Sequence, residues 1–107
     1  MFKGFEKIIS KKELLYGYHG GEFETSIMLH LHPELIKINK IKKSKLSSDI
    51  NSKKIISYEK TIKRAWNTKD LSETGIIGNP TNSSADKGKK ILDLTSRTLK
   101  KIINEMK

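Results

Sequence analysis

Apolar residues recur at helical spacing in three stretches of the chain, and the segments between them are polar or rich in glycine. Phe2, Phe5, Ile8 and Ile9 share one helical face, which predicts a short amphipathic helix within Phe2 to Leu15, with Ser10 and the two lysines after it ending the pattern. Tyr16 to Gly21 holds three glycines in five residues, a composition that disfavours both helix and strand interiors and predicts a turn. From Glu22 to His32, Phe23, Ile27, Met28 and Leu31 fall on one face, and Pro33 marks the stop. Glu22 and Glu24 lie in the first turn of this predicted helix, where the positive end of the helix dipole favours carboxylates. The third stretch carries Ile91, Leu92, Leu99, Ile102, Ile103 and Met106 at intervals of three and four through Lys107, the most regular pattern in the chain.

Two weaker signals lie between the second and third stretches. Ile56, Tyr58, Lys60, Ile62, Arg64 and Trp66 alternate loosely, predicting an extended segment over Ile55 to Trp66. Further on, Ile76 and Ile77 are bounded by Gly75 and Gly78, and a turn follows at Asn79 and Pro80. Ser83, three residues before Asp86, reads as a capping box with Asp in place of Glu, from which the last helix should start. No internal repeat is visible.

At 107 residues the chain is one domain at most. A domain of this size buries only about two thirds of the surface that its unfolded chain exposes. With 35% hydrophobic and 32% charged residues, its core should be thin and helped by a partner surface. There is no cysteine, so disulfides, thiolate metal sites and cysteine nucleophiles are excluded, and any metal must be held by His, Asp or Glu. No apolar run approaches the roughly 20 residues of a membrane span, and the N-terminus mixes charges through its apolar positions. A soluble, cytoplasmic protein is expected.

The net charge of +10 is concentrated in one block. Residues 1–36 carry four lysines against five glutamates, residues 37–65 ten basic against two acidic groups, and residues 66–107 eight against five. The middle of that block, about 37–54, is rich in Lys, Ser and Asn, the composition of a solvated, variable loop. The only aromatic residue of the whole block 37–65 is Tyr58, so the stacking platform of a single-strand binder is missing, and a surface loop is favoured over a nucleic-acid interface.

The candidate chemistry sits in HGGEFETS, His19 to Ser26. A histidine on a glycine-flanked turn runs directly into a helix whose first turn holds two carboxylates. Imidazole offers a neutral nitrogen or a proton near neutral pH and carboxylate an anionic oxygen, the pair used in metal-assisted hydrolysis. The same residues also suit a bland reading, in which the acids compensate a helix dipole and the histidine is solvated. His30 and His32 form an H-x-H pair, but residues two apart on a helix point in different directions, so a helix terminus suits them better than a shared ion. Thr25 and Ser26 have no Ser/His/Asp context and fit a first helical turn.

Two segments, in this order, resemble the creatininase (creatinine amidohydrolase) family. ELLYGYHGGEFETSIMLHLHPELI is similar to the family's H-A-G-x-x-E-T-S element followed by a helix ending in a Pro-containing turn. DLSETGIIGNPTNSSADKGKKIL resembles its Gly-Val-x-Gly-Asp-Pro element and Ala-x-x-Gly helix start. Gly20 replaces the commoner alanine and Asn79 the commoner aspartate. The resemblance covers most of residues 10–107 and implies an α/β fold, the C-terminal part of a three-layer α/β/α architecture. It further implies a binuclear hydrolase, with zinc or manganese as the divalent metal, that cleaves amide C–N bonds of small molecules by metal-activated water and assembles as a homo-oligomer, commonly a hexamer. Carried over residue by residue, Glu24 matches the metal-ligating glutamate of E-T-S. His19 matches the histidine that contacts substrate and protonates the leaving nitrogen. Glu22 has no assigned role, second shell and helix capping both remaining open.

The family's N-terminal half brings a Glu-x-His pair, a bridging aspartate and a histidine in an Asn-Gly-His context, and none of these occurs in this sequence. The chain therefore reads as a C-terminal portion whose partners are the missing half or other subunits. Two alternatives stand beside it: a small basic nucleic-acid-binding protein and a truncated gene product without function. On the family reading, isolated 1–107 holds fewer than two metal ions and hydrolyses no amide. Measuring metal content after equilibration with Zn2+ and Mn2+ checks this, and two ions bound stoichiometrically would refute it.

Overall fold

A computed structural model describes residues 3–44, 56–57, 62–63 and 65–107. The chain opens with a 3-10 turn at Phe5–Lys7, then helix α1 (Lys11–Tyr16) and helix α2 (Glu22–Leu31). Strands β1 (Ile56–Ser57) and β2 (Ile62–Lys63), helix α3 (Thr68–Leu71) and the long helix α4 (Ala85–Glu105) complete it. The first apolar stretch is thus two pieces where one helix was predicted. Ser10, which ends the apolar pattern, opens α1 by accepting the Glu13 N–H at 3.2 Å, satisfying one of the donors a helix start leaves free.

Helices α2 and α4 form the centre. Their contacts ascend together, with Glu22 meeting Ser83 and Lys87 and Ser26 meeting Ser84 and Gly88, so the two run alongside in the same direction. At the crossing the backbones nearly touch. A methyl group on Gly88 would lie 2.0 Å from the Ser26 carbonyl oxygen and 2.9 Å from the His30 Cβ. Below this contact Phe5, Ile9 and Ile91 are buried, with Ile8, Leu14, Phe23, Ile27 and Leu94 packed around them. Phe5 meets Phe23 edge to face at 5.3 Å, the arrangement that ring quadrupoles favour.

The capping of α4 differs from the sequence expectation by one residue. Ser84, not Ser83, is the N-cap and accepts the Lys87 N–H at 3.2 Å. Ser83 instead donates its hydroxyl to the Glu22 carbonyl at 3.3 Å. Adjacent serines are equivalent as local caps, so the tertiary bonds select between them: Ser84 N–H also reaches the buried Ser26 hydroxyl at 3.2 Å.

A second, smaller cluster pairs Leu71 with Ile77, and a chain of hydroxyls, Ser44 to Ser72 to Thr74, stitches the loops beside it at 2.9 and 3.1 Å. Within the predicted extended segment, Ile56 pairs with Ile62 and Ser57 with Lys63 in parallel, while Ala65 to Asn67 is irregular. Residues 55, 58–61 and 64 of that prediction, and 45–54 of the basic loop, lie outside the described residues. Lys37–Ser44 carries a 3-10 turn at Ile38–Lys40. Among the described residues the chain is mostly helical, with little strand.

The predicted regularity of α4 holds along its whole length, but its burial does not. Ile91 is 1% exposed, whereas Leu99 is 54% and Met106 81% exposed. Beyond Leu94 the apolar residues of the stripe, Leu99, Ile102, Ile103 and Met106, are exposed among the described residues. Gly88→Ala should lower stability by about 3 kcal/mol or more, because the added carbon meets backbone that no rotamer change can move. Urea unfolding followed by circular dichroism measures this; a loss under 1 kcal/mol would mean the crossing is looser than described.

Candidate functional site

The segment from His19 to Ser26 folds as a turn clamped by its own side chains. Gly20 takes a left-handed conformation (φ 62°), which an L side chain rarely adopts, and so reverses the chain into α2. Glu24, in the first turn of α2, accepts the Gly20 N–H on its carboxylate, and Thr25 donates its hydroxyl to the Gly20 carbonyl at 3.2 Å. Both polar groups flanking Gly20 are thus satisfied from the first turn of the helix. The third member of E-T-S, Ser26, faces the other way and holds the start of α4. Thr25 and Ser26 serve structure, as their sequence context indicated.

His19 is anchored through its backbone. It pairs with Ile77 in an antiparallel bridge, donating its N–H to the Ile77 carbonyl at 3.1 Å and accepting the Ile77 N–H at 2.8 Å. Ile77 is fully buried, so the bridge fixes the turn to the core while the His19 side chain stays exposed. Beside it the rings of Tyr18 and Trp66 lie 6.0 Å apart.

Sequence reasoning missed Glu13. Its carboxylate accepts the Glu22 N–H at 2.9 Å and the Asn79 N–H at 2.7 Å, joining the start of α2 to the turn before Pro80. The glycines around it leave no room for a side chain. A methyl on Gly21 would lie 2.4 Å from the Glu13 Oε2, and one on Gly78 would lie 2.8 Å from the Gly21 Cα. The available signal was a glutamate followed at short range by the predicted glycine-rich turn, and it points to no particular partner 66 residues away.

Glu22, left open between second shell and capping, is 2% exposed and paired with Lys87 of α4, which also donates to the Asn82 carbonyl at 2.8 Å. The carboxylate is therefore an interhelical ion-pair member, not a solvated dipole compensator. His30 is exposed in the last turn of α2, and His32 caps that helix and pairs with Glu34 at 3.1 Å.

His19 and Glu24 are brought together through Gly20, which follows the one and is hydrogen-bonded by the other. The second Glu24 oxygen has no hydrogen bond among the described residues, and the side chain is exposed. Such an oxygen fits a hard or borderline divalent cation. Among the described residues, however, no three His, Asp or Glu side chains converge to hold a metal ion. A cavity of about 260 Å3 opens on the far side of Glu13, lined by Tyr16, Glu22, Lys43, Asn79 and Asn82 among others; His19 and Glu24 do not line it. No helix among the described residues is long and apolar enough to cross a membrane.

Comparison with known proteins bears on this turn. The creatininase family model, described as creatinine amidohydrolase, matches residues 2–103. A crystal structure from Bacteroides fragilis, of a protein given the provisional name creatinine amidohydrolase, superposes with a TM-score of 0.59 at 26% identity. The superposition covers 94% of this chain and 40% of that one, so the present chain spans well under half of the relative's length. The fold is therefore creatininase-like. No curated protein matches.

Removing one partner of the Glu22–Lys87 pair should cost far more than removing both, since the penalty arises from an uncompensated buried carboxylate. Lys87→Met is expected to destabilise by about 3 kcal/mol. Adding Glu22→Gln should recover at least half of that loss, as read from the same urea unfolding curves. A double variant no more stable than the single one would show that the pair holds the helices by geometry and not by charge.

Proposed function

Since the chain belongs to the creatininase family, we propose that it contributes part of the active site of a metal-dependent amidohydrolase acting on an amide C–N bond of a small molecule. The observation that carries this reading is the clamp at Gly20, which sets on one turn at the head of α2 an exposed imidazole and a carboxylate whose second oxygen has no hydrogen bond among the described residues. Glu24 is the metal ligand. His19 contacts the substrate and delivers a proton to the leaving nitrogen. The bound divalent metal, zinc or manganese, would polarise the carbonyl and lower the pKa of the attacking water. Both metals accept carboxylate and imidazole, so these two residues do not discriminate between them.

The remaining ligands come from outside the chain's 107 residues, as the counterpart of the N-terminal portion that the family's three-layer α/β/α domain contains. In that arrangement residues 1–107 form the C-terminal portion of one domain, and the exposed stripe of α4 together with the cavity beside Glu13 are surfaces for the other portion or for further subunits of a homo-oligomer. The net charge of the chain plays no part in this chemistry.

The test is complementation. The chain is mixed with the N-terminal portion of the Bacteroides fragilis relative, Mn2+ or Zn2+ is added, and hydrolysis of creatinine and of a set of small linear amides is followed. Activity should appear only in the mixture. His19→Ala should lower it by about 100-fold or more, the usual range for a lost proton donor, and Glu24→Gln should abolish metal retention. Hydrolysis that persists in both variants would overturn the assignment of these residues.

A further inference from the structure

Building on the reading of Glu24 as metal ligand, we propose that Glu13 is the positioning residue of the candidate site: it caps α2 from nine residues upstream and ties that cap to the Gly78–Asn79 turn. A helix start leaves four N–H groups without intrahelical partners, and a side-chain oxygen at the N-cap ordinarily takes one of them. In α2 the N-cap is Gly21, which has no side chain to offer. Glu13 supplies the missing oxygen, accepting the N–H of Glu22, the first residue of the helix, at 2.9 Å. Its other oxygen accepts the Asn79 N–H at 2.7 Å.

The glycines show that this is a built arrangement. A methyl on Gly17 would lie 2.7 Å from the Glu13 carboxylate, one on Gly21 2.4 Å and one on Gly78 3.0 Å, so a capping side chain at Gly21 would displace the carboxylate that replaces it. The negative charge is also placed where the helix dipole favours it. A carboxylate is required because both of its oxygens accept. An amide would turn an N–H2 group toward one of the two backbone N–H groups, and a shorter acid would not reach both.

The consequence for the site follows from adjacency. Gly20 joins His19 to Gly21, and its N–H is the group that holds Glu24. His19 is tied to Ile77, and Asn79 lies two residues beyond Ile77. Glu13 thus closes a ring running from the His19–Ile77 bridge through Asn79 to Glu22 and back through Gly20, with His19 on it and Glu24 held to it by the Gly20 N–H. Displacements of about 1 Å in such a ring are enough to spoil a catalytic arrangement.

The experiment uses the full chain labelled with 15N. Amide hydrogen exchange and Mn2+-induced line broadening are recorded for the wild type, Glu13→Gln and Glu13→Asp. In Glu13→Gln, exchange at Glu22, Asn79 or both should rise at least tenfold while the amides of Ile91 to Leu94 in α4 keep their rates. The Mn2+ concentration that half-broadens the amides around Glu24 should rise at least tenfold as well. Unchanged exchange at both sites overturns the proposal. So does an increase spread equally over α4, which would mark a loss of general stability, and so does local loosening with unaltered Mn2+ response. If Glu13→Gln does not fold, Glu13→Asp, which keeps the charge and loses the reach, carries the same measurements. Absence of Mn2+ broadening near Glu24 in the wild type would remove the metal reading alone, and the exchange rates would still decide whether Glu13 holds the turn.

Discussion

The close approach of Gly88 to Ser26 is the contact on which the rest of the chain depends. Two helices normally keep 8–10 Å between their axes because side chains stand between them. Here a hydrogen atom faces a backbone carbonyl, and a buried serine hydroxyl fills the remaining gap by accepting the Ser84 N–H. That approach brings the first turns of α2 and α4 side by side. It lets Lys87 reach the buried Glu22 carboxylate and lets Ile91 enter the cluster with Phe5 and Ile9. A small domain with only a few buried apolar residues among those described has little else to set the angle between its main helices.

The same contact explains how the E-T-S element works as a unit. The three residues project in different directions from one helical turn, so each can serve a different neighbour. Glu24 and Thr25 hold the two sides of Gly20, and Ser26 holds α4. The turn bearing His19 and Glu24 is therefore referenced to the helix pair on one side and, through Ile77, to the smaller Leu71–Ile77 cluster on the other. Rigid anchoring of a short exposed turn by buried neighbours is how a mostly polar chain can present a defined constellation.

Beyond the crossing, α4 illustrates a helix whose pattern is intrinsic and whose burial is not. Leu99, Ile102, Ile103 and Met106 keep the helical period but are 54%, 39%, 48% and 81% exposed among the described residues. Periodicity records which face a helix would bury, and it is silent on whether the covering partner belongs to the same chain.

Much of the local structure was legible in the residues. The start of α2 at Glu22, the stop before Pro33, the turn at Asn79 and Pro80 and the long last helix follow from period, proline and capping chemistry, which act over three to seven residues. The paired motifs likewise identified the family. The tertiary structure decided what depends on groups distant in sequence. It chose Ser84 over Ser83 because Ser26, 58 residues earlier, accepts its N–H. It split the first stretch into a 3-10 turn and α1, buried Glu22 against Lys87, and gave Glu13 two hydrogen bonds, one to a residue 66 positions away. A carboxylate in a sequence carries no mark of which N–H it will meet. Local preferences are written in neighbouring residues, whereas the partner of a buried charge is set only when the packed chain excludes water from it.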